Sequence, residues 1–176
     1  MKSKGLKREN ILNSIIATLK HNDIYNTIDY RNQKEDKIKQ FLYPHLLDTV
    51  TNLYKKHSDI SDKTARKNAK ESLLWEGNVN TTVSNRLFMG TNHRPDFVVE
   101  FKGLSIAIEI KRGSKGSSLR ESIGQSQVYS NLYDFTISLF IDTSKDKRIL
   151  NASTSNEEKK FIKKLWAKNN VRFEVV

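Results

Sequence analysis

The chain has 176 residues, 36% of them hydrophobic and 29% charged, which suits one domain with a substantial core. Its 31 Lys and Arg against 20 Asp and Glu give a formal charge of +11, pointing to a polyanionic partner. The absence of cysteine excludes disulfides and thiolate zinc sites. The start, MKSKGLKREN, lacks the apolar stretch of a signal peptide, and no apolar run approaches the roughly 20 residues of a membrane span. A cytoplasmic protein with no membrane partner is expected, nucleoid association included.

Leu6, Ile11, Leu12, Ile15, Ile16 and Leu19 recur at helical spacing, predicting a helix over 6–20. Residues 22–32 read as polar turn. A longer helix is predicted from Glu35 through Ile38, Phe41, Leu42, Leu46, Leu47, Val50 and Leu53, kinked or split at Pro44. A third runs from Asp62 to Trp75, with Lys63, Arg66, Lys67 and Lys70 on its polar face. Val79 to Val83 alternates weakly and is read as a first strand.

Two alternating runs follow. Phe97, Val99 and Phe101 share one face of the first, and Leu104, Ile106, Ile108 and Ile110 one face of the second. Lys102-Gly103 between them suits a two-residue hairpin loop. Pairing Phe101 with Leu104 sets Asp96 opposite Glu109 and Arg94 opposite Lys111. Opposed carboxylates repel at such range and call for a cation. Lys111 lies one strand period from Glu109 on the same face.

The next stretch, RGSKGSS, is a turn without the Gly-Lys-Ser/Thr ending of a phosphate loop. Ser118 and Glu121 form a capping-box pattern for a helix reaching about Tyr133. On its wheel Gln125 falls in the apolar arc and points inward, where it needs partners, whereas Gln127 lies on the polar face. Phe135 to Ile141 is a strand, Ser155 and Glu158 open a helix carrying Phe161, Ile162, Leu165 and Trp166 on one face, and Val171 to Val175 is a final strand. Strand, helix, strand, helix, strand implies an α/β fold with a mixed sheet flanked by helices. The four histidines show no metal-binding spacing.

Pro95-Asp96, twelve intervening residues, Glu109-Ile110-Lys111 and then Gln125-Ser-Gln-Val-Tyr129 resemble the PD-(D/E)XK nucleases, in particular the RecB-type members with a QxxxY motif. The resemblance spans roughly residues 35–142. It implies a restriction-endonuclease-like core of order αβββαβ, with 1–34 a helical extension and 35–176 the nuclease-like domain. It further implies Mg²⁺ or Mn²⁺ held by Asp96, Glu109 and the Ile110 carbonyl. Lys111 would assist the attacking water, with Gln125 and Tyr129 beside the site. A helix acid is also implied, with Glu35 the first choice and Glu71 and Glu76 the alternatives. Arg94, Arg112, Lys115 and Arg120 flank the motif as candidate phosphate ligands. DNA is the expected partner, in a homodimer or a larger repair or defence complex. The competing expectation is a non-catalytic nucleic-acid-binding module that retains the fold.

Overall fold

A computed structural model describes residues 8–27 and 29–176. Helix α1 (Arg8–Leu19) buries Ile11, Leu12, Ile15, Ile16 and Leu19 as its spacing predicts, while Leu6 lies outside the described residues. The 22–32 segment is not all turn, because Asn22–Asn26 forms a short helix, α2. Ile24 and Tyr25 on it are buried, and the Tyr25 hydroxyl donates to the Leu19 carbonyl at 2.5 Å, which folds α2 back against the end of α1.

Helix α3 (Glu35–His57) runs unbroken through Pro44, contrary to the predicted kink or split. Pro44 and Gln40 both lie on the exposed side, so the carbonyl that loses its partner faces water rather than the core. Helix α4 (Asp62–Ser72) is capped by the Ser61 side chain and ends earlier than predicted. Its expected last turn, Leu73–Trp75, is instead strand β1. Helical spacing extended through Leu-Leu-Trp, but pairing Leu73 with Val99 and Trp75 with Phe97, with the two rings stacked at 5.9 Å, outweighs it.

Val79 to Val83 is not a strand. The Asn78 side chain accepts from the Asn80 N–H at 2.9 Å and the Thr81 carbonyl accepts from Trp75 at 2.9 Å, so turn contacts replace a ladder. An unpredicted ribbon follows, β2 (Arg86–Phe88) with β3 (Thr91–His93), turning through Met89 and Gly90 at φ 51° and 75°.

Strands β4 (Phe97–Phe101) and β5 (Leu104–Gly113) form the predicted hairpin in the predicted register. Lys102 and Gly103 both have positive φ, as a primed two-residue turn requires. Helix α5 (Gly116–Tyr129) leads to β6 (Phe135–Asp142). Helix α6 (Arg148–Ser153), which was not predicted, and α7 (Asn156–Asn169) lead to β7 (Val171–Val175). The sheet order is β1-β4-β5-β6-β7, antiparallel as far as β5 and parallel beyond it. This is the expected α/β class with a mixed sheet flanked by helices.

Two further expectations change. Ser118 is not the cap of α5: the helix starts two residues earlier, after extended Lys115, with no side-chain cap. Ser118 instead packs on Gly113, where an added Cβ would stand 2.6 Å from it. On α7 the Ser155 cap forms, but Phe161 is exposed and Leu165 alone is fully buried.

The core lies on both sides of β5. Leu104, Ile106, Ile108 and Ile110 join α1 and α3 in the main cluster. Ala107, on the other face, packs with Val98, Tyr129 and Tyr133. Helix α5 meets the sheet through small residues, with Ser122 and Ser126 at 0% exposure and Ser122 Oγ 2.9 Å from Ser138 Oγ.

Candidate active site

The β4–β5 ladder ends at Phe97 and Ile108, and Asp96 stands one residue beyond it. There its Oδ2 accepts from the Ile110 N–H at 2.6 Å, so a side chain takes over where the backbone partner runs out. Its own carbonyl accepts from the Glu76 N–H at 3.1 Å. A strand residue sends its N–H and C=O to the same side, so the Ile110 carbonyl also faces the gap past the end of β4. Asp96 and Glu109 are 4% and 6% exposed, which makes them core carboxylates.

Three carboxylates meet one ammonium that the sequence reading did not single out. Lys39 on α3, 6% exposed, is ion-paired with Asp96 Oδ1, with Glu76 Oε1 at 3.1 Å and with Glu35 Oε1 at 3.3 Å. The signal for it was present. Lys39 follows Ile38 and precedes Leu42 by three, which places a charge on the apolar arc of α3, and Glu35 lies one turn before it. Glu35 Oε2 also accepts from the Arg112 N–H at 3.3 Å. Glu76 Oε2 faces Arg94 at 3.5 Å, and Glu76 lies in the turn after β1 rather than on a helix. Glu71 stays on the outer face of α4, near Lys67 at 3.9 Å, and does not join.

Lys111, on the Glu109 face of β5, reaches Glu121 on α5 at 2.7 Å. Glu121, expected as half of a capping box, is thus the partner of a site lysine. Tyr129 donates to the Arg94 carbonyl at 3.0 Å, which pins the segment leading into Asp96. Gln125 is half-buried and its Oε1 has no hydrogen-bond partner, whereas Gln127 is exposed. Arg112 is directed inward, with Nη2 on the Arg31 carbonyl at 2.5 Å. Lys115 and Arg120 are exposed.

Burial, then the nearby Asp96 charge, pushes the Glu109 carboxyl well above the usual carboxylate range. Burial raises Asp96 too, against the pull of Lys39 and the Ile110 N–H. For Lys39, burial opposes the charge but Asp96 and Glu76 outweigh it, so its ammonium is held more firmly than usual. Tyr129 is raised by burial and by the Glu109 and Asp96 charges. With all acids ionised, Glu35, Glu76, Asp96, Glu109 and Glu121 against Lys39, Lys111 and Arg94 leave a net −2.

Glu109 Oε2 is buried with no hydrogen-bond partner. That orphaned oxygen, the all-oxygen donors around it and the net negative charge that develops once Asp96 and Glu109 lose their protons fit a hard divalent cation. Among the described residues, no three His, Cys, Asp or Glu side chains form a ready ligand set, because those that converge do so on Lys39.

A cleft of about 890 Å³ beside β7 gathers Lys20, Lys147, Lys159, Lys163 and Arg172 around Glu174. No helix among the described residues is long and apolar enough to cross a membrane. Comparison with known proteins finds no family, no curated protein and no solved structure that this chain matches.

Proposed function

We propose that the chain is a metal-dependent nuclease of the PD-(D/E)XK type, acting on DNA. One observation carries the reading: two core carboxylates, Asp96 just before β4 and Glu109 on β5, lie with Lys111 on the Glu109 face, and Glu109 keeps an unpartnered oxygen. The element order α4-β1-β4-β5-α5-β6, antiparallel then parallel, supports the restriction-endonuclease-like core expected from the resemblance.

Asp96, Glu109 and the Ile110 carbonyl would hold Mg²⁺ or Mn²⁺. Such an ion, when bound, supplies charge to the phosphoryl oxygens and makes water more acidic. The chain's own residues do the rest. Lys111 orients the attacking water and opposes the negative charge that develops on phosphorus. Its link to Glu121 is half in solvent and weak, so the ammonium is free to turn. Gln125 offers an unpaired amide oxygen near the site, and Tyr129 holds the Arg94 segment in place. Lys115 and Arg120 would bind flanking phosphates and the cleft lysines would add attraction for the backbone, each contributing to salt-dependent affinity. Arg112 has internal partners and takes a supporting part.

The test is cleavage of single-stranded and duplex DNA by the purified chain with Mg²⁺ or Mn²⁺, against Glu109→Gln. Cleavage by neither protein, or equal cleavage by both, rejects the reading. A second reading, a non-catalytic binding module, draws on Lys39, whose ammonium pairs with three of the acids without any metal. DNA binding that is unaffected by divalent ions and accompanied by no turnover would favour it.

A further inference from the structure

Two-metal nucleases set their ions about 3.5–4 Å apart, each needing its own oxygen ligands. In this chain the acids divide into two sets. Glu109 keeps Oε2 buried and without a hydrogen-bond partner. Asp96 Oδ1, Glu76 and Glu35 are all directed to Lys39. Those three oxygens converge on one point, and the three N–H donors of an ammonium suffice to meet them.

Lys39 cannot readily leave. Its side chain is 7% exposed. It is carried by a 23-residue helix and flanked by Ile38 and Leu42, both at 0% exposure. Withdrawal would strand the ammonium in the core and take a partner from each of three acids. Asp96 is shared between the two sets: Oδ2 is tied to the Ile110 N–H, and Oδ1 faces Lys39. We propose that Lys39 stands permanently in the place of a second divalent cation, so that the site takes a single ion, at Glu109 and Asp96. The inference rests on the nuclease reading, since it concerns the same acids, but it makes a separate claim about ion count.

The experiment counts Mn²⁺ bound to the intact chain by electron paramagnetic resonance of the free ion, without substrate and without reference to turnover. Wild type is expected to bind one ion. Lys39→Met keeps the stem and removes the charge, and is expected to bind two, with a gain in thermal stability on adding Mn²⁺ larger than that of wild type. Two ions in wild type overturn the proposal while leaving the nuclease reading intact. One ion in a folded Lys39→Met protein also overturns it, because the vacated acids then do not form a cation site. No ion in wild type removes both the proposal and the metal-dependent reading. Should Lys39→Met not fold, the wild-type count decides alone, with one ion the expected result and two the contrary one.

Discussion

Lys39 and Lys111 are both lysines near Glu109, yet their surroundings differ. Lys39 is buried, belongs to a long helix and meets three acids from three segments. Lys111 is about a fifth exposed, lies on a strand and meets one acid that is itself half in water. A buried ammonium with three partners is held in one position and costs much to disturb. A lysine at the surface with one exchangeable partner can turn toward a substrate. The first holds the acids together, and the second is available for chemistry.

The largest effect that would break this contrast is on rate. Lys111→Ala should lower cleavage by about 10²–10⁴-fold, the range for loss of a positioned acid–base group, while moving the unfolding midpoint little. A variant with near-normal turnover removes Lys111 from the chemistry. Asp96→Ala and Glu109→Ala should also abolish cleavage. Asp96→Ala should in addition destabilise the fold, because it strips partners from Lys39 and from the Ile110 N–H.

Next comes stability. Lys39→Met should cost about 3–5 kcal/mol in chemical denaturation at neutral pH, the range for breaking a buried ion pair and leaving its partners unpaired. Protonation of the acids would recover part of that. A cost below about 1 kcal/mol would show Lys39 to be no more fixed than Lys111.

Titration sharpens the contrast further. The folded Glu109 carboxyl is raised, so above the ordinary carboxylate range the folded form keeps a proton that the unfolded chain has lost. The stability supplied by this group therefore falls as pH rises from that range, through the raised value. Urea midpoints measured across this window without metal should decline more steeply for wild type than for Glu109→Gln. Parallel profiles would place the proton elsewhere.

The smallest effect concerns α5. Gln125→Ala should reduce cleavage more than Gln127→Ala, since only Gln125 carries a buried oxygen, one turn from both Glu121 and Tyr129, and Glu121→Gln should change stability by less than about 1 kcal/mol. Equal rates for the two glutamine variants would detach Gln125 from function.

The hairpin was legible because its information is local: a two-residue loop fixes the register and strict alternation fixes the face. The parallel half was legible too, since β6 and β7 alternate and are bounded by turns and by helices of readable apolar spacing, although only α7 has its expected cap. Lys39 was legible only in part: its place on the apolar arc and Glu35 one turn before it are local, but Glu76 and Asp96 are distant in sequence, and Glu76 is brought up only once Leu73–Trp75 becomes a strand. That strand was missed because its partner, β4, lies more than twenty residues away and overrules the local helical period. The β2–β3 ribbon has mostly exposed polar residues and no alternation to betray it.

The serine seam between α5 and the sheet has a consequence for engineering. Ser122 and Ser126 act as spacers of fixed thickness, and Gln125 and Tyr129 ride on the element they set. Enlarging either serine would lift that helix and tilt the site from behind, without altering any residue that faces a substrate. Screens for changed activity should therefore find hits along this hidden seam as well as around the acids, and such hits would revert when a bulky neighbour is trimmed to restore the gap.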